Sequence, residues 1–230
     1  MRAPYALTLH EEILLLALDD NAGTTGVGSL HANAMGGAIL AELVLLGALT
    51  IDKDKKKLVN AVPGARVDDA ILAECLLLVQ EAKRRRKAAD WVLKFAGRKD
   101  LTNRVARSLV ARGVLGESRD RVLGIFPRTI YPARNPGPEQ ELRKRLHHAV
   151  FTASSHVDER TVVVVVIANA TGLLAKALDK RRLKERKDRL RKLASGQAAG
   201  ATTREAVEAV QAAVMVATIA ATTAATAGRH

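Results

Sequence analysis

"DERTVVVVVIANA", residues 158–170, decides between sheet and helix. Five consecutive valines followed by Ile167 are β-branched enough for a buried strand. Yet Asp158 stands where a helix N-cap belongs, and a helical pattern continues through "LDKRRLKERKDRLRKL" (178–193). We read 161–167 as a buried helix that opens a helical zone from 158 to 195. The mixed charges of 178–193 then lie on a solvated face.

The rest of the chain reads the same way. Thr8 with Glu11 forms a capping box ahead of "EEILLLAL". A second helix near 33–46 spaces Ile39, Leu40, Leu43 and Val44 helically. "LTIDKDKKKLVNAV" (49–62) reads as a small hairpin with a lysine-rich tip. Asp68 is expected to cap a third helix, which ends in the basic run from Lys83 to Lys87, where cations complement the helix dipole. "ADWVLKFA" stops at Gly97, and Asp100 is expected to cap "LTNRVARSLVAR", closed at Gly113. Helix restarts in "NPGPEQELRKRLHHAVF", and Thr203 to Ala227 gives a final apolar helix after a linker-like turn. The fold class is mainly α: a single compact helical domain over residues 1–230 with one or two short β-hairpins.

Composition narrows the function. Hydrophobic residues make up 48% of 230, enough for a sizeable core, while aromatics at 3% leave Leu, Val, Ala and Ile to build it. A formal charge of +13 favours polyanionic partners. Cys75, the lone cysteine, reads as a buried small hydrophobe and suits a reducing compartment. The N-terminal apolar run is too short and acidic for a signal peptide. Ala209 to Ala227 is uncharged for nearly the length a bilayer span needs but is weakly hydrophobic, so a cytoplasmic protein is expected.

Catalytic patterns are missing. The six histidines share no metal-ligand spacing with one another or with Cys75. Gly23, Gly26 and Gly28 follow a helix rather than a strand and precede no Gly-Lys-Ser/Thr. No serine sits in a Gly-x-Ser-x-Gly setting, and Glu11 and Glu12 belong to a helix start. A non-enzymatic binding protein without a cofactor is the expectation.

The unusual feature is the region from Lys99 to Pro132. Leu101, Val105 and Leu109 share a helix face that should pack inward; Arg104 and Arg107 share a neighbouring face expected to point outward. Lys99 lies where unpaired helix N–H groups already favour phosphate. The following "VLGIFPRTIYP" (122–132) sets Val122, Leu123, Ile125 and Phe126 beside Arg128. Three readings fit: a hairpin folded on the core, a winged-helix DNA reader, or an apolar tip that enters a membrane. An apolar tip suits a wing poorly, and scarce aromatics argue against stacking on single strands. Grease beside positive charge suits an anionic bilayer, at ~1 kcal/mol per basic residue near the surface.

"LTLHEEILLLAL" (7–18), "GAILAELVLLGAL" (37–49), "NRVARSLVARGVL" (103–115) and the hairpin with Pro132 resemble, in that order, the Golgi phosphoprotein 3 family. The resemblance implies a mostly helical domain that binds phosphatidylinositol 4-phosphate at a membrane surface and inserts an apolar hairpin beside the headgroup pocket. Eukaryotic members act as Golgi adaptors for resident glycosyltransferases; the Ala/Arg-rich composition here suggests a bacterial member. The family's pocket tryptophan falls on Val27 or Gly28, and an arginine of its second helix on Gly36. Of two arginines at the start of the helix before the hairpin, Lys99 keeps the charge and Thr102 does not; Arg104 is basic in both.

The expectation is a peripheral protein on the cytoplasmic face of a membrane, bound to anionic lipids through Lys99, Thr102, Arg104, Arg107, Gly36 and Val27. The 122–131 hairpin is the part expected to insert. A basic adaptor for cytoplasmic protein tails is the runner-up, and nucleic acid ranks third.

Overall fold

The structure is a computed structural model that describes residues 7–18, 29–52, 56–122, 126–154, 156–196 and 207. Among them run α1 (Leu9–Ala17), α2 (Ser29–Leu45), β1 (Leu49–Ile51), β2 (Val59–Ala61), α3 (Ala70–Gln80), α4 (Ala88–Ala96) and α5 (Leu101–Ala111). Then come β3 (Ser118–Val122), β4 (Phe126–Ile130), α6 (Gly137–Phe151), α7 (Glu159–Ala170), α8 (Leu173–Ala177), α9 (Lys180–Lys184) and α10 (Lys187–Ala194). The strands form two antiparallel pairs, β1 with β2 and β3 with β4. The protein is mainly helical with two short hairpins.

The five valines are helical. Asp158 accepts from the Thr161 backbone N–H at 2.9 Å, and every side chain from Thr161 to Ala168 is buried. A helix apolar all round belongs in a core, and here burial outweighs the strand preference of β-branched residues. α1 is buried on all nine residues, and α2 from Asn33 to Val44. α2 packs on α1, α4 and α7, so these helices hold the centre of one hydrophobic cluster.

Several boundaries differ from expectation. Asp69, not Asp68, caps α3, accepting from Ile71 N and Leu72 N at 3.0 and 2.8 Å. α3 ends at Gln80, so the Lys83–Lys87 run lies beyond the last turn, where a helix dipole has faded. Asp100 holds the N-cap position of α5 in a left-handed conformation without capping; its carboxylate accepts instead from the Asn103 side-chain amide. The zone from 158 to 195 is four helices broken at Gly172, Asp179 and Arg186. The proposed final helix lies outside the described residues except Val207, which is helical and buried, and so does the 19–28 loop.

Candidate functional site

Four of the six expected headgroup residues, Lys99, Thr102, Arg104 and Arg107, lie in the turn from α4 to α5 and on α5 itself. Leu101, Val105 and Leu109 are buried and seat α5 on the core. Lys99, just ahead of the helix, is exposed and has no carboxylate partner among the described residues. Thr102, in the first turn, is half-buried.

The two arginines fare differently from the expectation. Arg104 does not point freely outward; its Nη2 donates to Glu74 Oε2 on α3. Arg98 joins from the other side, with Nε 2.6 Å from Glu74 Oε1. The hydrogen bond from Arg104, reinforced by Arg98, holds the Glu74 carboxyl below its ordinary range against the opposing pull of burial. Arg107 is exposed and loosely flanked by Asp100 at 3.7 Å and Glu117 at 3.6 Å.

Gly36 sits under the last turn of α4. A Cβ there would lie 2.4 Å from the Val92 carbonyl oxygen and 3.2 Å from Ala96 Cβ. The position serves a close crossing of α2 with α4 and leaves no room for a side chain reaching a ligand. Val27 lies outside the described residues.

The hairpin adjoins this region. Tyr131, buried at its foot, donates its hydroxyl to Asn103 Oδ1 of α5 at 3.2 Å, and burial pushes that phenol up. Val122 faces Phe126 at the outer end of the ladder, and Leu123 and Ile125, between them, lie outside the described residues. Arg128 is exposed and paired. It faces Asp120 in register and binds it through Nε at 2.9 Å and Nη2 at 2.6 Å, a cross-strand pair of opposite charge.

The family model of Golgi phosphoprotein 3 (GPP34) matches residues 9–210. The chain belongs to the Golgi phosphoprotein 3 family. The match starts at the first residue of α1 and runs past α10, so it takes in every named element of this Golgi phosphoprotein 3 member.

Other polar groups were invisible in the spacing. Glu11 and Glu12, expected only to favour a helix start, are buried and paired with distant arginines. Arg112 Nη1 lies 2.7 Å from Glu11 Oε2, and Arg145 Nη2 lies 2.7 Å from Glu12 Oε1. The signal in the sequence was a carboxylate inside an apolar run, "EEILLL" and "LAELVL". Glu12 Oε2 has no hydrogen-bond partner among the described residues and lines a cavity of about 410 Å³ with Glu141, Asp158, Arg145 and Arg160. Cys75 is buried, and burial pushes its thiol up to about 12. Among the described residues, no group of three His, Cys, Asp or Glu could hold a metal ion, and no helix is long and apolar enough to cross a membrane.

Proposed function

We propose that this Golgi phosphoprotein 3 family member is a non-enzymatic peripheral protein that docks on anionic phospholipid at the cytoplasmic face of a membrane. The exposed face of Lys99 and Arg107 meets lipid phosphates, and the outer end of the β3–β4 hairpin enters the interface. The observation that carries the reading is Lys99, a cation without a carboxylate partner among the described residues, placed at the N-terminus of α5. The Tyr131–Asn103 bond keeps the hairpin beside that helix.

Phosphatidylinositol 4-phosphate is the headgroup expected from the family. Helix packing at Gly36 and the engagement of Arg104 by Glu74 favour general anionic attraction over stereospecific recognition. Co-sedimentation with neutral, phosphatidylserine and phosphatidylinositol 4-phosphate vesicles tests both levels. Anionic vesicles should bind more than neutral ones, and Lys99→Glu and Phe126→Asp should each weaken that binding. Equal binding to neutral and anionic vesicles overturns the reading, as does tight duplex-DNA binding at physiological salt.

A second reading has its own observation. The cavity beside Glu12 has a carboxyl oxygen without a partner among the described residues; Glu141 and Asp158 line it opposite Arg145 and Arg160 in charge, and its acidic groups fit a basic side chain from a protein tail. Glu141→Lys should abolish capture of a lysine- and arginine-rich peptide while sparing vesicle binding.

A further inference from the structure

The basic run beyond α3 is held in a defined shape. Val59 N donates to Arg86 O at 2.9 Å, Ala88 N donates to Lys57 O at 3.1 Å, and Leu58 bridges Lys87. The end of the run, Arg86 and Lys87, therefore pairs with the start of β2, while Lys83 and Arg84 lie in a bend ahead of it. Arg85 turns toward the hairpin, where its Nη1 lies 2.9 Å from Asp52 Oδ2 and 3.1 Å from Asn60 Oδ1. Arg84 and Arg86 instead face a concavity that Arg85 does not line.

There they line one open concavity of about 360 Å³ with Lys83, Lys94 of α4, and the half-buried Leu78 and Ala82. Lys83, Arg84, Arg86 and Lys94 are all exposed, and none has a carboxylate partner among the described residues. Glu81 is the lone acidic group among the described residues that line it. Exposed leucines, outside the lining of the concavity, stand on the two helices that contribute to it. Leu77, one turn before Glu81 on α3, is 50% exposed, and Leu93, next to Lys94 on α4, is 41% exposed. With Leu46 they are the large hydrophobic side chains exposed among the described residues.

We propose that this surface, Lys83, Arg84, Arg86 and Lys94 with Leu77 and Leu93, is a second contact point for an anionic bilayer. A site for a small phosphorylated molecule would enclose its cations and have no use for leucines in water. An anionic bilayer uses both, because phosphates meet the cations and the leucines leave water at the headgroup boundary. Lys94 is four residues before Arg98 and five before Lys99, so α4 joins this patch to the contact at α5. Two anchoring points would fix the orientation of the protein on the membrane, where one would leave it free to pivot. This rests on the membrane-docking reading above and adds a region that reading does not use.

The experiment is co-sedimentation of the full chain with phosphatidylserine/phosphatidylcholine vesicles, comparing variants that lose the same charge. Arg84→Gln and Arg86→Gln should each weaken binding roughly fivefold, at ~1 kcal/mol for a basic residue near the surface. Arg85→Gln, whose charge is occupied by Asp52, should stay near wild type. Leu77→Gln should weaken binding without changing net charge. Equal losses for Arg84→Gln and Arg85→Gln would reduce the effect to overall charge and overturn the proposal. Wild-type binding in the Arg84→Gln/Arg86→Gln double variant, with Phe126→Asp still defective, overturns the second contact and leaves the first intact. Absence of any binding by the wild type sinks both. Thermal stabilisation by inorganic pyrophosphate that disappears in the double variant, with vesicle binding unchanged, would assign the patch to a soluble phosphate and overturn the bilayer.

Discussion

Arg160 and Glu42, 118 residues apart, form a two-pronged ion pair in the core, with Nη1 to Oε1 at 2.7 Å and Nη2 to Oε2 at 3.0 Å. The same carboxylate accepts from Leu9 N at 2.8 Å, and the same guanidinium donates to Leu7 O at 2.9 Å. One pair thus ties the start of α1 to α2 and α7. Arg160→Met takes the guanidinium away from a carboxylate with no exposure of its own, which costs about 3–5 kcal/mol in comparable buried pairs. Urea denaturation should report a loss of that order. A midpoint within error of wild type would show that the pair is not what joins these helices.

Gly36 makes the converse point, that a missing side chain holds the fold. Gly→Ala inside a helix gains up to about 1 kcal/mol from propensity. Here the new Cβ meets backbone, the Val92 carbonyl at 2.4 Å, which cannot rotate away. Overpacking costs about 1–3 kcal/mol, so the clash wins and Gly36→Ala lowers the melting temperature. Gly36→Arg, which puts a still larger side chain against the same carbonyl, should fail to fold rather than gain phosphoinositide binding. A folded Gly36→Arg protein would mean that α4 can move off α2.

Much of the helical frame could be read in the sequence, because capping and periodicity are local. Thr8 with Glu11 and the stretch after Asp158 are examples, and both hairpins stand where turn residues separate short apolar runs. What could not be read was pairing at a distance. Nothing in the spacing links Glu74 to Arg98 and Arg104, or Glu11 to Arg112, since only the packed helices bring them together. The same holds for Gly36, whose meaning depends on which helix crosses it. For the same reason the carboxylate partners of Arg104 and Arg128, Glu74 and Asp120, are not legible in the spacing.

Glu74 restrains two arginines that would otherwise add to the basic surface. Glu74→Gln should release Arg98 and Arg104 and raise affinity for anionic vesicles several-fold, at ~1 kcal/mol per basic residue. The gain should shrink with added salt, which screens exposed charges. Because the native carboxyl titrates below its ordinary value of 4.5, it stabilises the fold above that pH. That contribution is lost as pH falls from 4.5 through the lowered native value, and Glu74→Gln should flatten this acid limb. Unchanged vesicle binding in the variant would mean that the two arginines do not face the membrane.

Glu12 has the opposite sign. Burial raises its carboxyl above the ordinary 4.5, and Arg145 and Arg160 offset that only in part. The native state therefore holds the proton to higher pH than the unfolded chain does, and stability must fall as pH rises from 4.5 through the native value. Below 4.5 both states are protonated and the penalty is absent. Glu12→Gln keeps the shape and can still accept from Arg145 Nη2 but carries no charge to bury, so it should remove this slope. The measurement is the urea midpoint of both proteins at several pH values from 4.5 to neutrality. The variant should gain on wild type as pH rises. A variant that instead loses ground toward neutrality would show that the ion pair with Arg145 outweighs burial, and that Glu12 is charged in the native protein throughout.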